Sequence, residues 1–222
     1  MSTSAETERF SALRQRMVDS QLRGRGIADE RVLNAMGRVP RHEFAPEPYR
    51  DQAYEDHPLP IAQGQTISQP FIVALMLEAL ALRSADHVLE VGAGSGYVTA
   101  LLGELAAQVI SVERHAALAD PARELLARME YTNVKIIVGD GTQGFRECAP
   151  YDAIIVSAAA PDIPPALLAQ LTEGGRMIIP VGPPDSQQLQ LIRIENGEPR
   201  ITLRELCRFV PLISGGPSGL SS

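Results

Sequence analysis

The feature that most limits what this chain can fold into is a glycine-rich turn set between an apolar run and a helix-forming run. His87 to Val91 reads as a buried strand, Tyr97 to Leu105 as a helix, and Gly92-Ala93-Gly94-Ser95-Gly96 joins them. Glycines let the backbone turn sharply and let a ligand approach without Cβ atoms in the way. In an open parallel sheet, that turn lies where ligands bind, beyond the carboxyl end of the strand. The spacing is G-x-G-x-G. Tyr97 stands where the dinucleotide fingerprint has its third glycine, and no Gly-Lys-Ser/Thr follows as in a phosphate loop. Taken alone, the turn says only that something approaches the backbone closely.

The surrounding pattern places the turn in an α/β sheet. Phe71 to Leu82 reads as a helix, Val109 to Val112 as a strand, Ala117 to Met129 as a helix, and Val134 to Val138 and Tyr151 to Val156 as strands. A short helix from Pro164 to Leu171 ends at Gly174-Gly175, and Arg176 to Pro180 is the next strand. Strands alternating with helices predict a mostly parallel sheet covered on both faces. From Gln187 to Ile213 the pattern becomes strand after strand around Asn196-Gly197, which predicts a C-terminal antiparallel hairpin. Upstream, Phe10, Leu13, Met17, Val18 and Leu22 follow helical spacing up to Gly24-Arg25-Gly26. Asp29 is placed to cap a second helix that stops near Val39-Pro40. Residues 40–70 are rich in proline and read as a long irregular stretch, a usual place for function. One domain over residues 10–213 is expected, with 10–70 on the substrate side and 71–213 forming the sheet. Residues 1–9 and 214–222 read as flexible tails.

Composition narrows the partners. With 20 basic against 27 acidic residues the formal charge is −7, which suits a phosphate backbone poorly, so no nucleic acid is expected. Cys148 and Cys207 lack metal-ligand or disulfide spacing, and no metal is expected. No apolar stretch near the N-terminus resembles a signal peptide or could span a bilayer, so a cytoplasmic protein without membrane contact is expected.

Three acids at successive strand ends sharpen the ligand. Glu90 precedes the glycine turn. Glu113 closes the second strand, where a carboxylate can accept from both hydroxyls of an adenosine ribose and would repel a 2′-phosphate. Asp140, in Gly139-Asp140-Gly141, is placed to accept from an adenine amino group. Such a set also suits a cationic cofactor, and S-adenosylmethionine carries a sulfonium and an ammonium. The plain alternatives are a solvated charge at Glu113 and an ordinary Asp-Gly turn at Asp140.

The segment Gln63-Gly64-Gln65-Thr66-Ile67-Ser68-Gln69-Pro70 closely resembles a signature of the protein-L-isoaspartate O-methyltransferases. The likeness continues through Val39-Pro40-Arg41-His42-Glu43-Phe44, Leu89 to Tyr97, Val138 to Gly141 and Tyr151 to Val156. It extends over Ala158-Ala159-Ala160-Pro161, Leu171 to Gly182 and Arg208 to Leu212, and so covers roughly residues 10 to 213. The glycine turn is shared by many methyltransferases, whereas the Thr66-Ile67-Ser68 and Ala158–Pro161 segments are far more specific. The resemblance implies a single Rossmann-like, class I S-adenosylmethionine-dependent methyltransferase domain. It also implies that the substrate is the free α-carboxylate of isoaspartyl residues in proteins and peptides, with S-adenosylhomocysteine as product. The resulting ester would collapse to a succinimide that reopens to aspartate. By the same resemblance Ser68 takes the catalytic position, and Thr66, Ser68, Gly92, Gly94, Ser95, Gly96, Glu113, Asp140 and Gly141 contact the cofactor, with Glu90 beside them. The tail beyond Ile213 departs from the family pattern.

The chemistry asks little of the side chains. A carboxylate is already an anion at neutral pH and needs no general base. Ser68 is therefore expected to donate a hydrogen bond that orients the carboxylate, unless it merely caps the helix beginning at Pro70. His42 and His57 could line a substrate groove or fill a polar loop, and His87 and His115 read as surface residues. Arg41 and Arg176 could attract the substrate or simply pair on the surface. The competing readings are a same-fold methyltransferase of small molecules or RNA, a non-catalytic cofactor-binding relative, and a nicotinamide dehydrogenase. A monomer is expected.

Overall fold

The computed structural model describes residues 4–215. Helix α1 spans Ser4–Arg16, so part of the stretch expected as a loose tail is helical; residues 1–3 and 216–222, in the two expected tails, lie outside the described residues. The chain continues through wider, π-type turns over Met17–Leu22, which bury Met17, Val18 and Leu22. A tight turn at Arg23–Arg25 then stops on Gly26, whose φ of 100° only glycine adopts readily. Helix α2 (Glu30–Arg38) starts at Asp29 as expected, with the Asp29 carboxylate accepting from the Arg31 and Val32 amides. Residues 40–70 are three short 3-10 turns and a two-stranded antiparallel ribbon, β1 (Leu59–Pro60) with β2 (Thr66–Ile67).

The α/β unit follows as α3 (Pro70–Leu80), β3 (His87–Val91), α4 (Tyr97–Leu105), β4 (Gln108–Glu113), α5 (Ala116–Arg128), β5 (Val134–Val138), β6 (Tyr151–Val156), α6 (Pro165–Leu168), β7 (Leu171–Val181), β8 (Gln187–Glu195) and β9 (Glu198–Cys207). The seven-stranded sheet has the order β5-β4-β3-β6-β7-β8-β9. Strands β3 to β7 pair in parallel, and β7-β8-β9 form the expected antiparallel end. Gly174-Gly175 does not close a helix. Helix α6 stops at Leu168, and Gly174 (φ 74°) sits in an irregular start of β7, where the pairing jumps from Tyr151↔Leu171 to Ala153↔Arg176.

Side chains alternate across each strand, so the sheet separates two apolar layers. Helices α1 to α5 pack on one face around residues such as Val88, Val109, Ala153 and Leu191. On the other face Leu89, Val91, Ile110, Ile154, Met177 and Ile192 pack beneath Leu167 of α6. The chain runs from β3 outward to β5 and then returns to place β6 on the other side of β3. That reversal opens a crevice at the carboxyl ends of β3 and β6.

A cofactor cavity at the carboxyl ends of the strands

The crevice is a cavity of about 390 Å³, within the range of small-ligand sites. One wall is the turn Gly92–Ser95, a second is Glu113-Arg114-His115 after β4, and a third is Thr66-Ile67-Ser68-Gln69. Leu206 to Ile213, the end of β9 and the strap that continues from it, closes the remaining side.

The glycine turn has the geometry its spacing implies. Gly92, Gly94 and Gly96 have φ values of 93°, 53° and 88°, a region costly to other residues. Gly141 is needed for another reason: a Cβ there would lie 2.4 Å from Val91 Cγ1, pushing β3 away from the loop after β5. Ser95 lines the cavity, and its hydroxyl accepts weakly from the Tyr97 amide at 3.4 Å.

The three acids take different places. Glu113 lines the cavity as expected; its Oε2 accepts from Gly94 N and its Oε1 from His115 N, each at 2.9 Å. One carboxylate thus ties the glycine turn to the end of β4. Asp140 caps the turn that follows it, accepting from Thr142 N at 2.9 Å and Thr142 Oγ1 at 2.7 Å, while its Oδ2 accepts from Gly215 N at 2.8 Å. Partial burial pushes its pKa upward, but the bonds from Thr142 and Gly215 and the nearby Arg114 outweigh this and hold it below the usual carboxylate range. Gly141 reaches the cavity wall, whereas Asp140 stands just behind it.

Glu90 departs from expectation. Alternation along β3 sends Leu89 and Val91 to one face and Glu90 to the other, so its side chain turns away from the cavity. Fully buried, it accepts a hydrogen bond from Thr99 of α4. Burial raises its pKa to about 7, against the nearby Ser111 hydroxyl and the Thr99 bond and with the Glu113 charge adding to the rise. Glu90 braces the turn from behind and does not line the site.

Thr66 and Ser68 both line the cavity. The helix beside them begins after Gln69, with no side-chain cap from its own N-cap residue. The Asp56 carboxylate supplies that function from across the loop, accepting from Phe71 N at 3.2 Å and Gln69 Nε2 at 2.8 Å. Arg25 pairs with Asp56 and lies 3.6 Å from the Phe71 ring centroid. Ser68 is therefore not a cap, and among the described residues its hydroxyl has no hydrogen-bond partner.

Arg41 and Arg176, read as attracting the substrate or pairing on the surface, do neither. Arg176 is buried; it donates to the Leu80 and Ala81 carbonyls at the end of α3 and pairs with Asp86. Arg41 is also buried, donating from Nε to Ala53 O at 2.8 Å and facing the Tyr97 ring at 4.9 Å; burial lowers its pKa. Neither touches the cavity, because each closes carbonyl groups that the fold leaves open. His42 stacks on Phe10 at 4.0 Å and bonds Tyr54 Oη at 2.7 Å, and His57 contacts Glu55. His87 packs against Tyr151, with ring centroids 4.7 Å apart. His115, expected on the surface, stands in the cavity wall with Arg114. The only sequence signal for that was its position just after Glu113.

The strap is held firmly. Gln187 clamps Phe209, accepting from its amide at 2.6 Å and donating to its carbonyl at 3.1 Å. Ala159 N donates to Val210 O at 2.8 Å, and Leu212 N to Ala159 O at 2.7 Å, which joins the Ala158–Pro161 run to the Arg208–Leu212 run. Arg114 Nη1 donates to Ile213 O at 2.9 Å.

A sheet of this order, with a glycine turn after β3 and an acid closing β4, defines the Rossmann-like class I methyltransferase fold. Comparison with known proteins narrows this. A protein-family profile described as "Protein-L-isoaspartate(D-aspartate) O-methyltransferase (PCMT)" matches residues 13–216. A protein-L-isoaspartate O-methyltransferase of Koribacter versatilis is 57% identical over 213 residues, covering 96% of each chain. One from Methanoculleus marisnigri is 57% identical over 201 residues, covering 90% of this chain and 91% of its own. A solved structure described as a beta-aspartate methyltransferase from Plasmodium falciparum, in complex with S-adenosyl-L-homocysteine, superposes with a TM-score of 0.80 at 30% identity, covering 91% of this chain and 99% of its own. The chain belongs to the protein-L-isoaspartate(D-aspartate) O-methyltransferase family.

Proposed function

We propose that the protein transfers a methyl group from S-adenosylmethionine to the free α-carboxylate of L-isoaspartyl residues in damaged proteins and peptides. The resulting ester closes to a succinimide that reopens in part to normal aspartate. The observation that carries this reading is the Ser68 hydroxyl, which sits in the cavity wall with no bond to the protein while Asp56 caps the adjacent helix.

The residues present suit the cofactor. Gly92, Gly94 and Ser95 offer close backbone approach, Gly141 leaves room beside Val91, and Glu113 and Thr66 line the cavity where they would hold the cofactor, with Asp140 just behind the wall. When bound, the cofactor supplies an activated sulfonium methyl. The protein has to orient a carboxylate oxygen toward it and exclude water, effects together of roughly 7–11 kcal/mol in favourable cases. Ser68 donates to the carboxylate and fixes its direction; the strap from Leu206 to Ile213 shields it from water. No proton is abstracted, because the carboxylate is already an anion at neutral pH.

The test is Ser68→Ala beside the parent. At saturating cofactor, transfer to an isoaspartyl peptide falls by on the order of tenfold to a hundredfold, the effect of losing one hydrogen bond to a charged group. Equal rates would contradict the assignment. The reading extends to a monomeric, cytoplasmic enzyme; among the described residues no helix is long and apolar enough to cross a membrane.

A further inference from the structure

β9 is the last strand of the sheet, and among the described residues it pairs only with β8. Its outer row of amide and carbonyl groups is open, and an open edge of this kind is a ready template for another chain. The register shows a second property. Gln190↔Leu203 is followed by Gln188↔Leu206, so two residues of β9, Arg204 and Glu205, oppose the single residue Leu189. That bulge reverses the alternation. Leu206 consequently stays on the same face as Leu203, Ile201 and Pro199, which pair with Gln190, Ile192 and Ile194. The result is an apolar stripe: Ile201 is 52% exposed, Leu203 58% and Leu206 73%. Without the bulge, Leu206 would face the opposite side.

The stripe does not end in open surface. Leu206 and Cys207 also line the cofactor cavity, so the edge of β9 runs directly into the mouth beside Ser68. From Ile201 to Leu206 is about 16 Å of extended chain. We propose that this edge is the docking strand for the substrate polypeptide. The segment flanking the methylated residue adds to the sheet as an extended strand outside β9, main chain to main chain, with apolar side chains at alternate positions resting on Ile201 and Leu203. The proposal rests on the reading that the substrate is a polypeptide. It accounts for how one site can accept many protein sequences, because backbone pairing gives affinity without reading each side chain and only the stripe contributes selectivity. It also implies that the substrate segment must be unfolded or pulled out of its own fold.

The experiment compares three isoaspartyl peptides sharing the same five central residues. One is unextended, one carries six more residues on each flank with apolar side chains at alternate positions, and one carries six prolines on each flank. Parent protein and the Ile201→Lys/Leu203→Lys double variant are assayed with labelled cofactor, and thermal melts check that the variant is folded. In the parent, KM for the apolar extended peptide falls about tenfold below that of the unextended one, kcat is the same, and the proline peptide gains nothing because it cannot pair. In the variant the tenfold gap closes while the unextended peptide is methylated as by the parent. Equal KM values in the parent, or a gap that survives in the variant or with proline, overturn the proposal. So does a parent that sediments as a dimer, with a monomeric variant and an unchanged gap, since a second copy then covers the edge. Failure of the parent to methylate any of the three peptides overturns the functional reading and this proposal with it.

Discussion

The Asp56 carboxylate accepts a 2.8 Å hydrogen bond from Gln69 Nε2, across 13 positions of sequence, and thereby anchors the segment that carries Ser68. The same carboxylate caps α3 through Phe71 N and pairs with Arg25. Its work is to hold a short, loosely structured stretch at a fixed distance from the glycine turn. Asp56→Ala is expected to lower kcat/KM for an isoaspartyl peptide by about tenfold, because a shift of roughly 1 Å in a positioned group costs far more rate than affinity. Affinity for S-adenosylhomocysteine, measured by calorimetry, stays within about twofold. Losing the cap costs about 1 kcal/mol, which lowers the melting midpoint by roughly 2–4 °C. A variant with parent activity would show that Ser68 is positioned by other means.

That relationship also marks where reading the sequence stops. Glu113 and the glycine turn were legible because strand, turn, helix and next strand form one local unit whose geometry follows from its order. Asp29 was legible as a cap for the same reason. Asp56 was not, since a carboxylate that caps a distant helix leaves no trace in local spacing and depends on the path of the whole 40–70 stretch. Arg41 and Arg176 read as surface or substrate-facing charges, yet both are buried where they satisfy backbone carbonyls, a need that arises only after tertiary packing. Glu90 was placed with the cofactor acids by its sequence position, but strand alternation turns it to the helical side. The bulge at Arg204-Glu205 was hidden too, because it is defined by the partner strand.

Glu113 connects the glycine turn with the end of β4, so its replacement acts on cofactor binding before chemistry. Glu113→Gln keeps one acceptor oxygen and introduces a donor that faces the Gly94 or His115 amide. We expect the dissociation constant for S-adenosylhomocysteine to rise by between tenfold and a hundredfold, in keeping with about 1.5–3 kcal/mol for a hydrogen bond to a charged group. Titration calorimetry reads this directly. An unchanged constant would remove Glu113 from the site.

Glu90 gives a pH signature. Its pKa is raised by burial to about 7 from 4.5, so the folded state holds the proton more tightly than the unfolded chain does. The stability this provides is complete below about pH 4.5 and is lost as the pH rises through about 7. Glu90→Gln cannot ionise and escapes that loss. The stability of the variant relative to the parent should therefore increase between pH 5 and pH 8, by up to roughly 3 kcal/mol. Urea unfolding of both proteins at the two pH values measures the difference. A difference independent of pH would mean that Glu90 is not held in its protonated form by burial.

The central claim is that this cavity methylates an isoaspartyl carboxylate. The most direct measurement incubates the protein with labelled S-adenosylmethionine and two synthetic peptides identical except for L-isoaspartate in one and L-aspartate in the other. Base-labile label on the isoaspartyl peptide alone, reduced by Ser68→Ala, is the expected result. Label on both peptides equally, or on neither while S-adenosylhomocysteine still binds, would contradict it.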